Sequence, residues 1–133
     1  GCKFGIFGMD WNTKDKTAIR DYIHVVDLAK SHVCALNYLL STIEKPLFSI
    51  FNIGMGIGIS VLELIYELEN LLGTGTKIKF ESLPRRHGDV ECIFTENNFA
   101  KETLLWKPIY NLKDCLIDEI NFRKNKLNKN KIS

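Results

Sequence analysis

The chain has 133 residues, 45% of them apolar and 26% charged, and carries a net charge of +2. This is the composition of one ordinary globular domain, large enough to bury about two thirds of the surface it would expose unfolded, and it excludes large-scale disorder. No apolar run approaches the ~20 residues that a membrane-spanning helix needs.

The cysteines at 2, 34, 92 and 115 form no CxxC pair and no Cys/His cluster at zinc-ligand spacing. They read as reduced, mostly buried thiols of a cytoplasmic protein, and no metal site is expected. Arg123, Lys124, Lys126, Lys129 and Lys131 stand together with no acid in the last eleven residues, so the rest is weakly acidic. No aromatic residue interleaves them to stack on bases, so 123–133 reads as a basic, frayed tail, with no nucleic acid and no membrane as partner. Residues 1–122 are the folded portion.

Residues 2–8 read as a strand, followed by a polar loop. Gly1 is not an initiator Met, and a domain that opens on a buried strand looks cut. The segment RDYIHV (20–25) is β-prone and runs into a helix. In that helix Ala29, Val33, Leu36 and Leu40 recur at steps of three and four, predicting its buried face, with Asp27 as a cap. FSIFNIG (48–54) predicts a buried strand and GMGIG (54–58) a turn. Ser60 and Glu63 then form a capping-box signature for a helix that turns Val61, Leu64, Ile65, Leu68 and Leu71 inward and ends at Gly73. A half-exposed strand over 76–83, the loop PRRHGD (84–89), a short β-prone stretch and two helices, near 97–105 and 111–126, complete an α/β chain.

Three loops hold the candidate chemistry. Arg20 and Arg86 offer planar forks suited to a diphosphate, Asp89 can accept from ribose hydroxyls, and Phe7 can wall a base. That describes a nucleotide-diphosphate site without a P-loop. The glycines at 54, 56 and 58 do not have dinucleotide-fingerprint spacing, and no acid follows where a ribose partner is required, so NAD is not expected there. His24, beside an apolar run, reads as a structural histidine.

The segments IFGMDW (6–11), RDYIHVVDLAKSHVCAL (20–36), FNIGMGIGISVLELI (51–65), PRRHGD (84–89) and LLWKP (104–108) together resemble the C-terminal half of UDP-glucose 4-epimerases. The resemblance runs from about residue 4 to 125. It implies the substrate-binding portion of an extended short-chain dehydrogenase/reductase, with the Rossmann half largely missing. It also implies UDP contacts at Gly5, Phe7, Arg20, Val61, Arg86 and Asp89, with Ile93 near the residue that selects plain or N-acetylated hexose. Tyr22 and His24 belong to the signature as mainly structural residues.

The family interconverts UDP-galactose and UDP-glucose through a 4-keto intermediate, using NAD and a Tyr-x-x-x-Lys pair. No tyrosine here has a lysine four residues on, so no catalytic residue lies in this chain and the segment alone is expected to be inactive. NAD would be held by the missing N-terminal half of a homodimeric enzyme, and this segment would anchor UDP. The alternatives are another nucleotide-sugar epimerase, dehydratase or decarboxylase of the same fold, or a non-catalytic remnant. The family pattern is broken where Lys16 and Ala18 replace usual glycines, Asn12 a common proline, and Leu105 a frequent glycine.

Overall fold

In a computed structural model, residues 3–41 and 48–129 are described. Four short strands and four helices follow in the order β1 (Phe4–Phe7), β2 (Ile19–Arg20), α1 (Val25–Leu40), β3 (Ile59–Ser60), α2 (Val61–Leu72), β4 (Phe80–Leu83), α3 (Asn98–Leu104) and α4 (Leu112–Lys129). β1 pairs in parallel with β4, Phe4 opposite Phe80 and Phe7 opposite Leu83. β2 pairs antiparallel with β3, and Ile19 also bridges Cys92. The β-prone stretch after residue 89 thus yields one bridge.

Alternation along β1 sends Ile6 into the core against Leu62 and Ile65 of α2. Ser60 caps α2, taking the Glu63 N–H while the Glu63 carboxylate takes the Ser60 N–H, and Gly73 closes the helix with φ 105°. The buried stripe of α2 is Leu62, Ile65 and Glu69. Glu69 is there because its carboxylate accepts from the Ile78 N–H and the Lys77 ammonium, both at 2.8 Å, fastening the approach to β4.

Several expectations are corrected. Asp27 is not the cap of α1. His24 is, its Nδ1 accepting from the Val26 N–H at 3.1 Å. The helix also buries the opposite face: Asp27, Ser31, Cys34, Ala35 and Tyr38 turn inward, while Ala29, Val33, Leu36 and Leu40 are exposed. Residues 48–54 form no strand because no neighbour among the described residues pairs with them, and 76–79 remain outside β4, although the Lys79 carbonyl accepts the Phe4 N–H at 2.8 Å. The basic tail is not frayed through 129, since α4 continues to Lys129 with an Arg123–Glu119 pair one turn apart at 2.6 Å. Residues 130–133 lie outside the described residues. The thiols are less buried than expected: Cys92 is exposed, Cys34 and Cys115 are half-buried, and Cys2 lies outside the described residues.

A second cluster gathers Ala100, Leu104 and Trp106 with Ile23, Cys34, Ala35, Tyr38, Phe51 and Ile53. It ties α1 and α3 together. The Trp106 indole donates to the Asp27 carbonyl at 3.1 Å.

Two non-glycine residues adopt left-handed backbone, Lys16 at φ 66° and Leu105 at φ 52°. Both are positions where the epimerase pattern has glycine, and Leu105 is the C-cap of α3 with an almost wholly exposed side chain. A side chain there costs about 1 kcal/mol relative to glycine. Lys16→Gly and Leu105→Gly are each expected to stabilise the chain by about that amount, raising Tm by about 3–6 °C in thermal unfolding.

Candidate functional site

Alternation along the segment that enters and follows β2 directs residues to two sides. Ala18, Arg20 and Tyr22 face one cavity. Asp21 and Ile23 face away, Asp21 onto the glycine turn and Ile23 into the Trp106 cluster. The loop before β2 is stitched to α2. Asp15 accepts from the Thr17 N–H at 3.0 Å, the Thr17 hydroxyl at 2.8 Å and the Ser60 hydroxyl, and the Val61 N–H bonds the Ala18 carbonyl. Burial raises the Asp15 pKa, but these hydrogen bonds outweigh it and hold the carboxyl below its usual value.

The Asp21 carboxylate accepts three backbone N–H groups, from Met55 at 2.8 Å, Gly56 at 3.0 Å and Thr95 at 3.1 Å. A Cβ on Gly54 would lie 2.4 Å from both Asp21 Oδ2 and Thr95 Oγ1, which is why glycine is required there. The N–H groups of this turn therefore point at a carboxylate of the same chain. They do not form a cradle for a dinucleotide pyrophosphate, so these residues do not fit NAD.

The cavity that receives Arg20 encloses about 260 Å³. Its lining contains all six predicted substrate residues: Gly5 and Phe7 from β1, Arg20 from β2, Val61 from α2, and Arg86 and Asp89 from the loop after β4. Sequence reasoning missed Phe4, Ala18, Leu64 and Tyr22, which line it too. The two-residue spacing of Tyr22 from Arg20 on extended backbone was the available signal. Burial raises the Tyr22 phenol pKa, only partly opposed by the Arg20 charge, so the hydroxyl stays protonated and can donate. Ile93 does not join the cavity. It is 58% exposed, on the segment beside Ile19.

The adjacent arginines of PRRHGD do different work. The Arg85 guanidinium bonds the Asp10 carboxylate and carbonyl, both at 2.8 Å, and lies 3.9 Å from the Trp11 ring centre. Arg86 turns into the cavity and stacks on the Phe7 ring at 3.8 Å. Arg20 pairs with Asp89 there and also donates to the Ile19 carbonyl at 2.7 Å. Two cations, one carboxylate, a phenol and an apolar wall thus meet in one concavity, which suits a diphosphate joined to a ribose and a planar base. A larger cavity of about 550 Å³ between α1 and α4 is lined by His24, Cys115, Asp118, Glu119 and three apolar residues. Its charged groups are carboxylates, which repel a diphosphate. His24 serves structurally there, bonding Asp118 at 3.2 Å and stacking on Tyr110 at 4.3 Å.

No family model matches the chain. It is 38% identical over 117 residues to UDP-glucose 4-epimerase 1 of Oryza sativa subsp. japonica, covering 88% of this chain and 32% of that protein. The crystal structure of UDP-glucose 4-epimerase from Bifidobacterium longum, in complex with NAD+ and UDP, superposes with a TM-score of 0.85 at 35% identity. That match takes in 95% of this chain and 36% of the other. The chain is a relative of the UDP-glucose 4-epimerases. A second epimerase, from Stenotrophomonas maltophila with bound NAD and formylated UDP-arabinopyranose, superposes at 0.83 with 38% identity, over 96% of this chain and 36% of that one. The chain spans about a third of the length of these epimerases and matches their C-terminal portion. Among the described residues no helix is long and apolar enough to cross a membrane, and no group of three His, Cys, Asp or Glu side chains could hold a metal ion.

Proposed function

We propose that this chain is the nucleotide-anchoring portion of a UDP-glucose 4-epimerase that interconverts UDP-galactose and UDP-glucose. The observation that carries the reading is the convergence of Arg20, Arg86, Asp89, Phe7, Gly5 and Val61 on one cavity. Arg20 and Arg86 bind the diphosphate, Asp89 the ribose hydroxyls, and Phe7 with Gly5 and Val61 forms the wall for the base. Tyr22 donates to the same ligand. Ile93 reaches the hexose only where further chain completes the site, and it then bears on the choice between plain and N-acetylated sugar.

NAD supplies the redox chemistry in such an enzyme and belongs to the part of the epimerases that this chain does not match. What these residues do is hold the nucleotide firmly, so that the sugar can turn while the molecule stays bound. The resemblance extends the proposal to a homodimeric, cytoplasmic enzyme. The free thiols Cys34, Cys92 and Cys115 support a reducing compartment.

Arg86→Ala is expected to weaken UDP binding by more than ~1.5 kcal/mol, over about tenfold, as for a charged hydrogen bond. Isothermal titration with UDP checks it, and an unchanged affinity would place the anchor elsewhere. For the whole enzyme the assay is conversion of UDP-galactose. Absence of UDP-glucose as product would favour another nucleotide-sugar enzyme of this fold.

A further inference from the structure

Helix α4 leaves the body of the protein part-way along its length. Leu112, Leu116 and Ile120 are half-buried and recur at steps of four, holding one side down, whereas residues 121–127 are exposed throughout. About two turns of helix with so little packing are marginal on their own. A second side carries Cys115, Asp118, Glu119 and Phe122, which form one wall of the cavity of about 550 Å³. Lys126 continues that side one turn beyond Phe122. Phe122 is 59% exposed, and the charges are sorted about it. Asp118 and Glu119, both exposed, precede it, and the exposed Lys126 follows it. The whole helix repeats the division: every acid lies before Phe122 and, Lys113 apart, every base after it. The helix dipole favours acids in the first turn and bases in the last. It does not account for Asp118, Glu119, Arg123 and Lys124 in the middle of an 18-residue helix.

We propose that this side of α4 is a self-association surface, on which a second copy of the chain lays its own α4 antiparallel across a two-fold axis at Phe122. Asp118 and Lys126 stand one turn before and one turn after Phe122 on the same side. With the two Phe122 rings meeting on the axis, Asp118 of each copy faces Lys126 of the other, one contact made twice. The charge pattern selects the occupant. A parallel pair would set acids against acids and bases against bases. A polyanion suits the basic half but is repelled by Asp118 and Glu119, whereas a second copy satisfies both halves. The cavity beside Phe122 offers the crossing helix a groove, walled on its far side by Ile23 and Val25. The Arg123–Glu119 pair within the helix is an exposed one and competes weakly. One helix pair is smaller than a standard interface, so the association is weak and concentration-dependent. The inference uses no residue of the nucleotide cavity and stands apart from the epimerase reading.

Sedimentation equilibrium of the chain at low salt is expected to show a dimer that loosens as salt rises. Lys126→Glu sets acid against acid at both contacts and should raise the dimer Kd by about tenfold or more, with Tm unchanged. Adding Asp118→Lys to that variant reverses both partners and should return the Kd to within about threefold of its original value. A folding defect cannot produce such a rescue. Asp118 also bonds His24, so a cysteine on the axis gives an independent reading if the double variant does not fold. Phe122→Cys should form a disulfide-linked dimer under mild oxidation, well above the level in the unsubstituted chain or in Asn121→Cys, which points about 100° away around the helix. Equal cross-linking from 121 and 122 would overturn the proposal. So would a dimer indifferent to Lys126→Glu, which would place association on another face, such as the outward side of α1. A monomer at every concentration also overturns it, and retention of that monomer on heparin would give the helix to a polyanion instead.

Discussion

Asp21→Ala is expected to lower the unfolding free energy by about 4 kcal/mol and to weaken UDP binding at the same time. The carboxylate is the acceptor for three backbone N–H groups from two separate segments, Met55–Gly56 and Thr95. Hydrogen bonds to a charged group contribute about 1.5–3 kcal/mol each, and partial access of water to the part-buried site keeps the sum below simple addition. Alanine leaves all three donors without an acceptor and frees the glycine turn from the β2 segment. Arg20 and Tyr22 flank Asp21 and lose their placement with it. Asp21→Asn keeps the shape and one accepting oxygen, so its loss should be about half as large. Urea unfolding measures the first effect and UDP titration the second. A loss under ~1 kcal/mol for alanine would show that water replaces the carboxylate without penalty.

Asp27 gives the second large effect, with a different signature. Its side chain is fully buried, and one oxygen accepts from the Ile109 N–H at 2.8 Å and the Tyr110 N–H at 2.9 Å. The other oxygen has no hydrogen-bond partner among the described residues. Asp27→Ala is expected to cost about 3 kcal/mol, because two donors are left unsatisfied inside the protein. Asp27→Asn retains the accepting oxygen and removes a buried charge whose second oxygen bonds nothing, so it should cost under ~1 kcal/mol. The contrast between the two variants identifies the hydrogen bonds, rather than the charge, as the stabilising element. A local readout is Cys115, whose thiol pKa is pushed up by burial and whose sulfur rests 3.9 Å from the Tyr22 carbonyl. Loosening residues 109–111 ahead of α4 should make this thiol react faster with a thiol reagent in the alanine variant.

The sequence by itself determined the local parts of this protein. The capping box at Ser60 and Glu63, the stop at Gly73 and the helices near 97–105 and after 111 were all legible, and the six residues singled out in the sequence line one cavity. These features depend on neighbours in the chain or on motifs whose spacing is tied to one chemistry. Tyr22 could also have been read, since side chains two apart on extended backbone share a face.

Only the tertiary structure decided what occupies Arg85, the other arginine of the pair, which Asp10 and Trp11 claim from a loop about 75 residues away. It likewise decided that Asp21 pins the glycine turn and that Asp27 receives the chain before α4, bonds spanning 34 and 82 residues. Periodicity predicted an apolar face on α1 and a strand at 48–54, and both patterns are present. Hydrophobic spacing reports that a surface is suited to burial, not what buries it. Tyr38 and the Trp106 cluster claimed the other side of the helix, and strand pairing needs an edge that the described residues do not supply.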